Sequence, residues 1–90
     1  SYESKRIKDW SKEDIQSFFR EKRIEPMLKL FDEDATGRDL LDYYEQLMTQ
    51  QEPYNLIKQE LQQVHNIFLS FQMFVTFDKE MKRFSLKSNM

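Results

Sequence analysis

The sequence of 90 residues contains no cysteine, one glycine and two prolines. Without cysteine, the chain has no disulfide, no thiolate metal site and no thiol nucleophile. All-β domains need many turn residues, and glycine and proline are prominent among them. Their scarcity therefore favours an all-α fold, and the length favours one domain with one modest hydrophobic core.

Long apolar runs are also missing, and the first six residues are polar, so we expect neither a membrane-spanning segment nor a signal peptide. The chain does not begin with methionine, and we expect it to be a domain of a longer intracellular protein, in a compartment that the sequence does not identify. The formal net charge of −2 argues against a general nucleic-acid binder.

Residues for catalysis are scarce. His65 is the only histidine, and no serine stands near it in a recognisable arrangement. Gly37 is alone, so the sequence contains no glycine-rich loop to hold a phosphate. The acidic residues also lack the alternate spacing of a calcium-binding loop. We therefore predict a protein that is not an enzyme, with no cofactor and no metal site.

The first helix is predicted from about Lys12 to near Lys22. Ser11 is a suitable N-cap, and Asp14 stands three residues later in a variant of the capping box. The apolar residues Ile15, Phe18 and Phe19 then follow the helical period and predict one buried stripe.

Two further helices are predicted before residue 50. Pro26 suits the first position of a short second helix. Thr36 and Asp39 repeat the capping pattern before a third helical segment. That segment fits either one helix or two short helices, and we favour a bend near Tyr44.

The longest helix is predicted to begin at Pro53. The apolar positions from Tyr54 to Phe71 are spaced by three and four residues, and neither glycine nor proline interrupts them. Beyond Asn66 the pattern is compatible with a strand or a helix. We favour a helix, because a single strand has no partner elsewhere in the chain, and Ser70 is a suitable cap for a separate helix that folds back.

Over roughly residues 8 to 65, one ordered set resembles the sterile alpha motif (SAM) domain: Trp10, Ser11, Glu13, Asp14, Ile15, Phe19, Met27, Leu30, Phe31, Thr36, Gly37, Leu40 and Leu41. That family opens with a tryptophan beside a polar cap, passes through an apolar-x-Gly-x-x-Leu-Leu element and closes with a long fifth helix. The chain departs from it in having Gln50 to Asn55, without glycine, where the family often has a Leu-Gly-Ile turn and a Gly-His-Arg start of the last helix.

The resemblance implies an all-α, five-helix SAM-like bundle with a long last helix, and leaves open an additional C-terminal helix. We expect a flexible N-terminal segment at 1–7, the bundle at 8–66, and a helical extension or the start of a linker at 67–90. The predicted core residues are Trp10, Ile15, Phe19, Leu30, Phe31, Leu40, Leu41, Ile57 and Leu61.

For function, the resemblance implies a scaffold or signalling module that binds a protein, either another SAM-like domain or itself. Residues 32–45 contain six acidic residues and only one basic residue, which is typical of an acidic docking face or of a solvated helix surface. In the common pairing mode such a face meets the start of the last helix of another domain. The candidate partner-binding residues are Asp32, Asp34, Asp39, Asp42, Glu45, Tyr54 and Lys58.

Two alternatives remain. The apolar run from Ile67 to Phe77 either covers the domain's own core or forms the seam of an oligomer, which would make the chain a structural oligomerisation element. RNA binding would use the basic residues near the two ends of the chain, and few such residues are present.

Overall fold

The computed structural model describes residues 1–88, with side chains through Leu86, and contains no strand in that range. Four α-helices follow in order: α1 (Lys12–Glu21), α2 (Gly37–Leu47), α3 (Pro53–His65) and α4 (Phe71–Ser88). A six-residue 3₁₀ helix, Glu25–Leu30, lies between α1 and α2. The predicted all-α bundle of five helices is confirmed, with two additional 3₁₀ turns at Tyr2–Ser4 and Ile7–Asp9.

The predicted helix starts are present. The Ser11 hydroxyl accepts a hydrogen bond from the Asp14 backbone N–H at 3.1 Å, and the Asp14 carboxylate accepts one from the Ser11 N–H at 3.0 Å. The carboxylate also pairs with Lys5 at 2.8 Å. The hydrogen bond from Lys5 is the main reason why the pKa of Asp14 is lowered, and the bonds from Ser11 add to it while burial opposes it.

The favoured bend near Tyr44 is absent, because α2 runs without interruption from Gly37 to Leu47. Leu40, Tyr44 and Leu47 are buried on one face of this helix. The Tyr44 hydroxyl also donates to Asp78 of α4 at 2.7 Å. One continuous stripe therefore packs against the bundle, and no break is needed to bury these residues.

The helix predicted to begin at Pro53 does so and ends at His65, and the separate helix predicted after Ser70 is present as α4. Asn66 adopts the left-handed conformation with a φ of 57°, and the Ile67 N–H bonds to the Leu61 carbonyl at 3.0 Å. This is the usual pattern of a helix C-terminus, and asparagine is one of the residues that tolerate it. The longest helix is instead α4, which Ser70 caps by accepting from the Met73 N–H at 3.1 Å.

The core extends over both ends of the described chain. Tyr2 and Ile7 are buried, so the segment 1–7, expected to be flexible, packs against the bundle. Phe77, Met81 and Phe84 of α4 are completely buried as well, so the part of 67–90 that the structure describes belongs to the same core. A domain of this size has few apolar residues to spare, and both segments supply large ones.

Six of the nine predicted core residues are buried, while Leu30, Phe31 and Leu41 are partly buried against the core. Twelve further members of this core were not among the nine predicted core residues, although Phe18 was assigned to the buried stripe of the first helix: Tyr2, Ile7, Phe18, Ile24, Met27, Tyr44, Leu47, Leu69, Phe74, Phe77, Met81 and Phe84.

Gly37 is required by a close approach of two backbones. Its N–H donates to the Trp10 carbonyl at 2.8 Å, and a Cβ atom at this position would lie 1.7 Å from the Ile7 carbonyl oxygen. We predict that Gly37→Ala lowers the free energy of unfolding by at least about 3 kcal/mol, because the backbone must move to relieve the overlap. Urea unfolding followed by circular dichroism measures the change. Glu45→Ala, on the exposed side of α2, is the control and should stay within about 0.5 kcal/mol; equal losses in both variants would contradict the prediction.

Arg23 follows α1 and has a positive φ of 59°. The Ile24 N–H bonds back to the Phe19 carbonyl at 2.9 Å, which is the C-terminal pattern that favours glycine at this position. We predict that Arg23→Gly raises the free energy of unfolding by about 1 kcal/mol, because it removes the steric cost of the left-handed conformation. The matched change Arg20→Gly, inside α1, should lower it by about the same amount. Two losses of similar size would show that the left-handed conformation carries no such cost.

Candidate protein-interaction surfaces

The acidic surface consists of residues on α2 and in the connection before it: Asp32, Glu33, Asp34, Asp39, Asp42 and Glu45. All six are exposed. Asp39, Asp42 and Glu45 follow one another at intervals of three residues, so each is a neighbour of the next on the outside of α2. The five acidic residues named by the sequence analysis therefore lie in solvent, along α2 and in the connection before it.

Asp39 has a structural role within this surface. Its carboxylate accepts a hydrogen bond from the Thr36 N–H at 2.9 Å and one from the Thr36 hydroxyl at 3.3 Å. It thereby caps α2. Asp42 and Glu45 make no side-chain hydrogen bond or ion pair with any described residue, so their charges are free to meet a partner.

The second surface is an aromatic patch, which we define as Tyr54, Lys58, Phe68, Phe71 and Val75. The rings of Tyr54 and Phe71 are 5.1 Å apart and nearly perpendicular. The Lys58 ammonium lies 5.6 Å from the centre of the Tyr54 ring and 5.9 Å from that of Phe68. Phe68 is 70% exposed and Phe71 is 61% exposed, which is unusual for adjacent phenylalanines on a small domain.

Tyr54 and Lys58 were predicted to lie at the start of the last helix. The last helix is α4, not α3, yet both residues are beside its start because the chain folds back after Asn66. The Tyr54 hydroxyl donates to the Leu69 carbonyl at 2.9 Å, just before α4 begins. The structure therefore places Tyr54 and Lys58 beside the N-terminal end of the last helix. The sequence analysis did not predict that the fold-back of the chain brings them there.

The phenylalanine-rich segment from Ile67 to Phe77 is divided between the core and the surface. Leu69, Phe74 and Phe77 are buried, and Ile67 and Met73 pack against the core partly buried, so five of its eight apolar side chains contribute to the domain's own core. Phe68, Phe71 and Val75 remain exposed. Phe68 and Phe71 are functional candidates that the sequence analysis did not single out. The helical register relative to Phe74 and Phe77 could have indicated the exposure of Phe71, whereas Phe68 lies in the connection before α4 and has no such register.

Basic side chains near both ends of the chain are largely paired. Lys5 bonds to Asp14 at 2.8 Å and Arg6 to Asp9 at 3.1 Å. In α4, Lys82 pairs with Asp78 at 3.0 Å and Arg83 with Glu80 at 3.2 Å. These pairs reduce the positive charge available to a phosphate backbone.

Tyrosine hydroxyl groups serve the packing. Burial, together with the hydrogen bond to Asp78, raises the pKa of Tyr44, and burial with a smaller effect of Glu60 raises the pKa of Tyr43 to about 12. Both are therefore neutral at physiological pH.

Within residues 1–88, no group of three histidine or acidic side chains is arranged to hold a metal ion.

Among the described helices, none has the length and apolar character needed to cross a membrane.

The comparisons with known proteins found no match: no family model, no curated protein and no solved structure is significantly similar to this chain.

Asp39 and Asp42 carry the same charge but differ in structural role. We predict that Asp39→Ala lowers the free energy of unfolding by about 1 kcal/mol, because the Thr36 N–H loses its partner. Asp42→Ala, a matched change one turn away, should alter it by less than about 0.5 kcal/mol. Thermal unfolding followed by circular dichroism distinguishes the two, and similar stabilities would show that the cap contributes little.

Proposed function

We propose that this domain is a protein-interaction module of the SAM type, which docks its acidic surface against the start of the last helix of another such domain. The observation that carries the proposal is the presence of two complementary exposed surfaces on one small chain. One is acidic and has unpaired carboxylates. The other combines apolar rings with Lys58 and the positive end of the α4 dipole.

The order of the helices supports the SAM assignment. A short helix stands second and the longest helix stands last, as in that family. Asn66, with its positive φ, followed by Ile67, supplies a turn between the last two helices of the kind that Gly-Ile supplies in the family. Trp10 and Gly37, both part of the resemblance, contact each other directly.

The charges support docking of the two unlike surfaces. Asp42 and Glu45 are exposed and unpaired among the described residues. Opposite charge at the edge of an interface accelerates encounter and sets orientation, whereas buried apolar rings supply most of the affinity. Phe71 and Phe68 are suited to the second task because they are already exposed and adjacent to Lys58.

A second candidate is a symmetric oligomer in which two aromatic patches face each other. The exposure of Phe68, Phe71 and Val75 favours it, since a contiguous apolar patch often marks an association site. This contact would resist salt, whereas docking of the acidic surface would weaken as ionic strength rises.

Sedimentation equilibrium of two variants tests the proposal. Asp42→Lys combined with Glu45→Lys disables the acidic surface, and Phe71→Asp disables the aromatic patch at a side chain that is 61% exposed. We expect each variant alone to associate at least about tenfold more weakly than the parent. An equimolar mixture should form a dimer, because one intact surface remains on each partner.

Glu13→Lys, an exposed change on α1, is the control and should associate like the parent. If the lysine variant associates like the parent, Phe71→Asp abolishes association, and the mixture contains dimers of the lysine variant beside monomers of Phe71→Asp, the symmetric oligomer is correct instead. A parent protein that stays monomeric at every protein and salt concentration would contradict homotypic docking.

A further inference from the structure

A cleft of about 870 Å³ lies between α1 and the segment that leads from the 3₁₀ helix to α2, and its lining contains no residue of the aromatic patch. Its apolar lining consists of Ile15, Pro26, Leu28, Phe31, Ala35 and Ile67. Ile15 and Ala35 are buried, and the other four are partly exposed. The apolar floor therefore offers several contacts to an incoming side chain, and no hydrogen-bonding group of these side chains interrupts it.

The two sides of the cleft carry opposite charge. On α1, Lys12, Gln16 and Arg20 stand at intervals of four residues and form one side. The connection before α2 contributes Asp32 and Glu33 to the other. The 3₁₀ helix contributes two further charged side chains to the lining, Glu25 and Lys29. Their charges are of opposite sign and offset each other.

These charges are available to a partner. Arg20, Asp32 and Glu33 make no ion pair with any residue in the described range, and Lys12 reaches only Glu13 at 4.0 Å. Exposed charges without local partners beside an apolar floor are the arrangement that recognises an amphipathic ligand of matching polarity.

The dimensions fit a helix better than a small molecule. The row from Lys12 to Arg20 is about 12 Å long, which is the length of two helical turns. A small-molecule site usually has polar groups that converge on the ligand, whereas the charged groups here lie along the exposed rim. An amphipathic helix laid along such a groove places its apolar stripe on the floor and its charged flanks at the rim.

We propose that this cleft binds an amphipathic helix of a partner protein. The flank of that helix facing α1 carries carboxylates, and the flank facing Asp32 and Glu33 carries lysine or arginine. Because the two flanks differ in sign, the helix binds in one direction only. This binding mode is additional to the docking of the acidic surface, with which it shares Asp32 and Glu33.

A pair of designed peptides of about four helical turns tests the proposal. Both have leucines at i, i+4, i+7 and i+11, with glutamates on one flank and lysines on the other; in the control, the exchanged peptide, every second glutamate is exchanged with a lysine, so that both flanks carry both charges in either binding direction. We expect the matched peptide to bind at least about tenfold more tightly than the exchanged peptide in fluorescence anisotropy at low salt.

Variants of the protein test whether the preference for the matched peptide arises from the cleft. Arg20→Glu and Glu33→Lys should each weaken binding of the matched peptide by about three- to tenfold. The double variant should lose the preference for the matched peptide, because each side of the cleft then carries one charge of each sign. Lys79→Glu and Asp42→Lys, the matched changes at exposed positions outside the cleft lining, should leave peptide binding unchanged.

Equal binding of the two peptides, or binding of neither, would overturn the inference. So would self-association that shifts the amide resonances of Lys12, Gln16 and Arg20 in the absence of peptide, because it would assign the α1 side of the cleft to a second copy of the chain. Asp42→Lys separates this inference from the proposed function, because Asp42 belongs to the acidic surface but not to the cleft lining, so this variant should weaken self-association and leave peptide binding unchanged.

Discussion

Trp10 connects four parts of the chain. Its indole N–H donates to the Tyr2 carbonyl at 2.9 Å, and its own carbonyl accepts from Gly37 at the start of α2. Its ring is 5.1 Å from Phe18 of α1 and 5.0 Å from Phe84 of α4. Because the indole N–H has a partner, the whole side chain can be buried at little polar cost. The N-terminal turns and three of the four α-helices thus depend on one residue for their relative position.

The two proposed docking surfaces follow from this packing. The contact between Trp10 and Gly37 places the start of α2 against the N-terminal turns, so the acidic residues of α2 are left on its outer side. The last helix, α4, turns Phe74, Phe77, Met81 and Phe84 inward. The helical period then directs Phe71 and Val75 outward, beside Tyr54 and Lys58. The exposed aromatic rings are therefore a consequence of the register that fills the core.

Capping residues were the most reliable local signal in the sequence. Ser11, Thr36 and Ser70 all precede helices, because their side chains or partners satisfy backbone N–H groups that a helix start leaves free. The C-terminal ends were less predictable. Asn66 ends α3 by adopting a left-handed conformation that asparagine tolerates but does not require, and the apolar spacing continues through it to Phe71. The predictions that the helix from Pro53 is the longest and that α2 bends near Tyr44 were wrong because apolar spacing shows which face is buried but not where tertiary contacts stop a helix.

The sequence by itself determined the helical class, the helix starts and the concentration of negative charge between residues 32 and 45, because these depend on residue type and short-range spacing. Only the tertiary structure decided which large side chains remain outside. Tyr2 and Ile7 were assigned to a flexible segment and are in the core, while Phe68 and Phe71 continue an apolar stripe and are exposed. The return of the chain after Asn66 sets Tyr54 against Phe71, and the packing of α1 beside the connection before α2 forms the cleft. Both depend on contacts between residues far apart in sequence, which local periodicity does not encode.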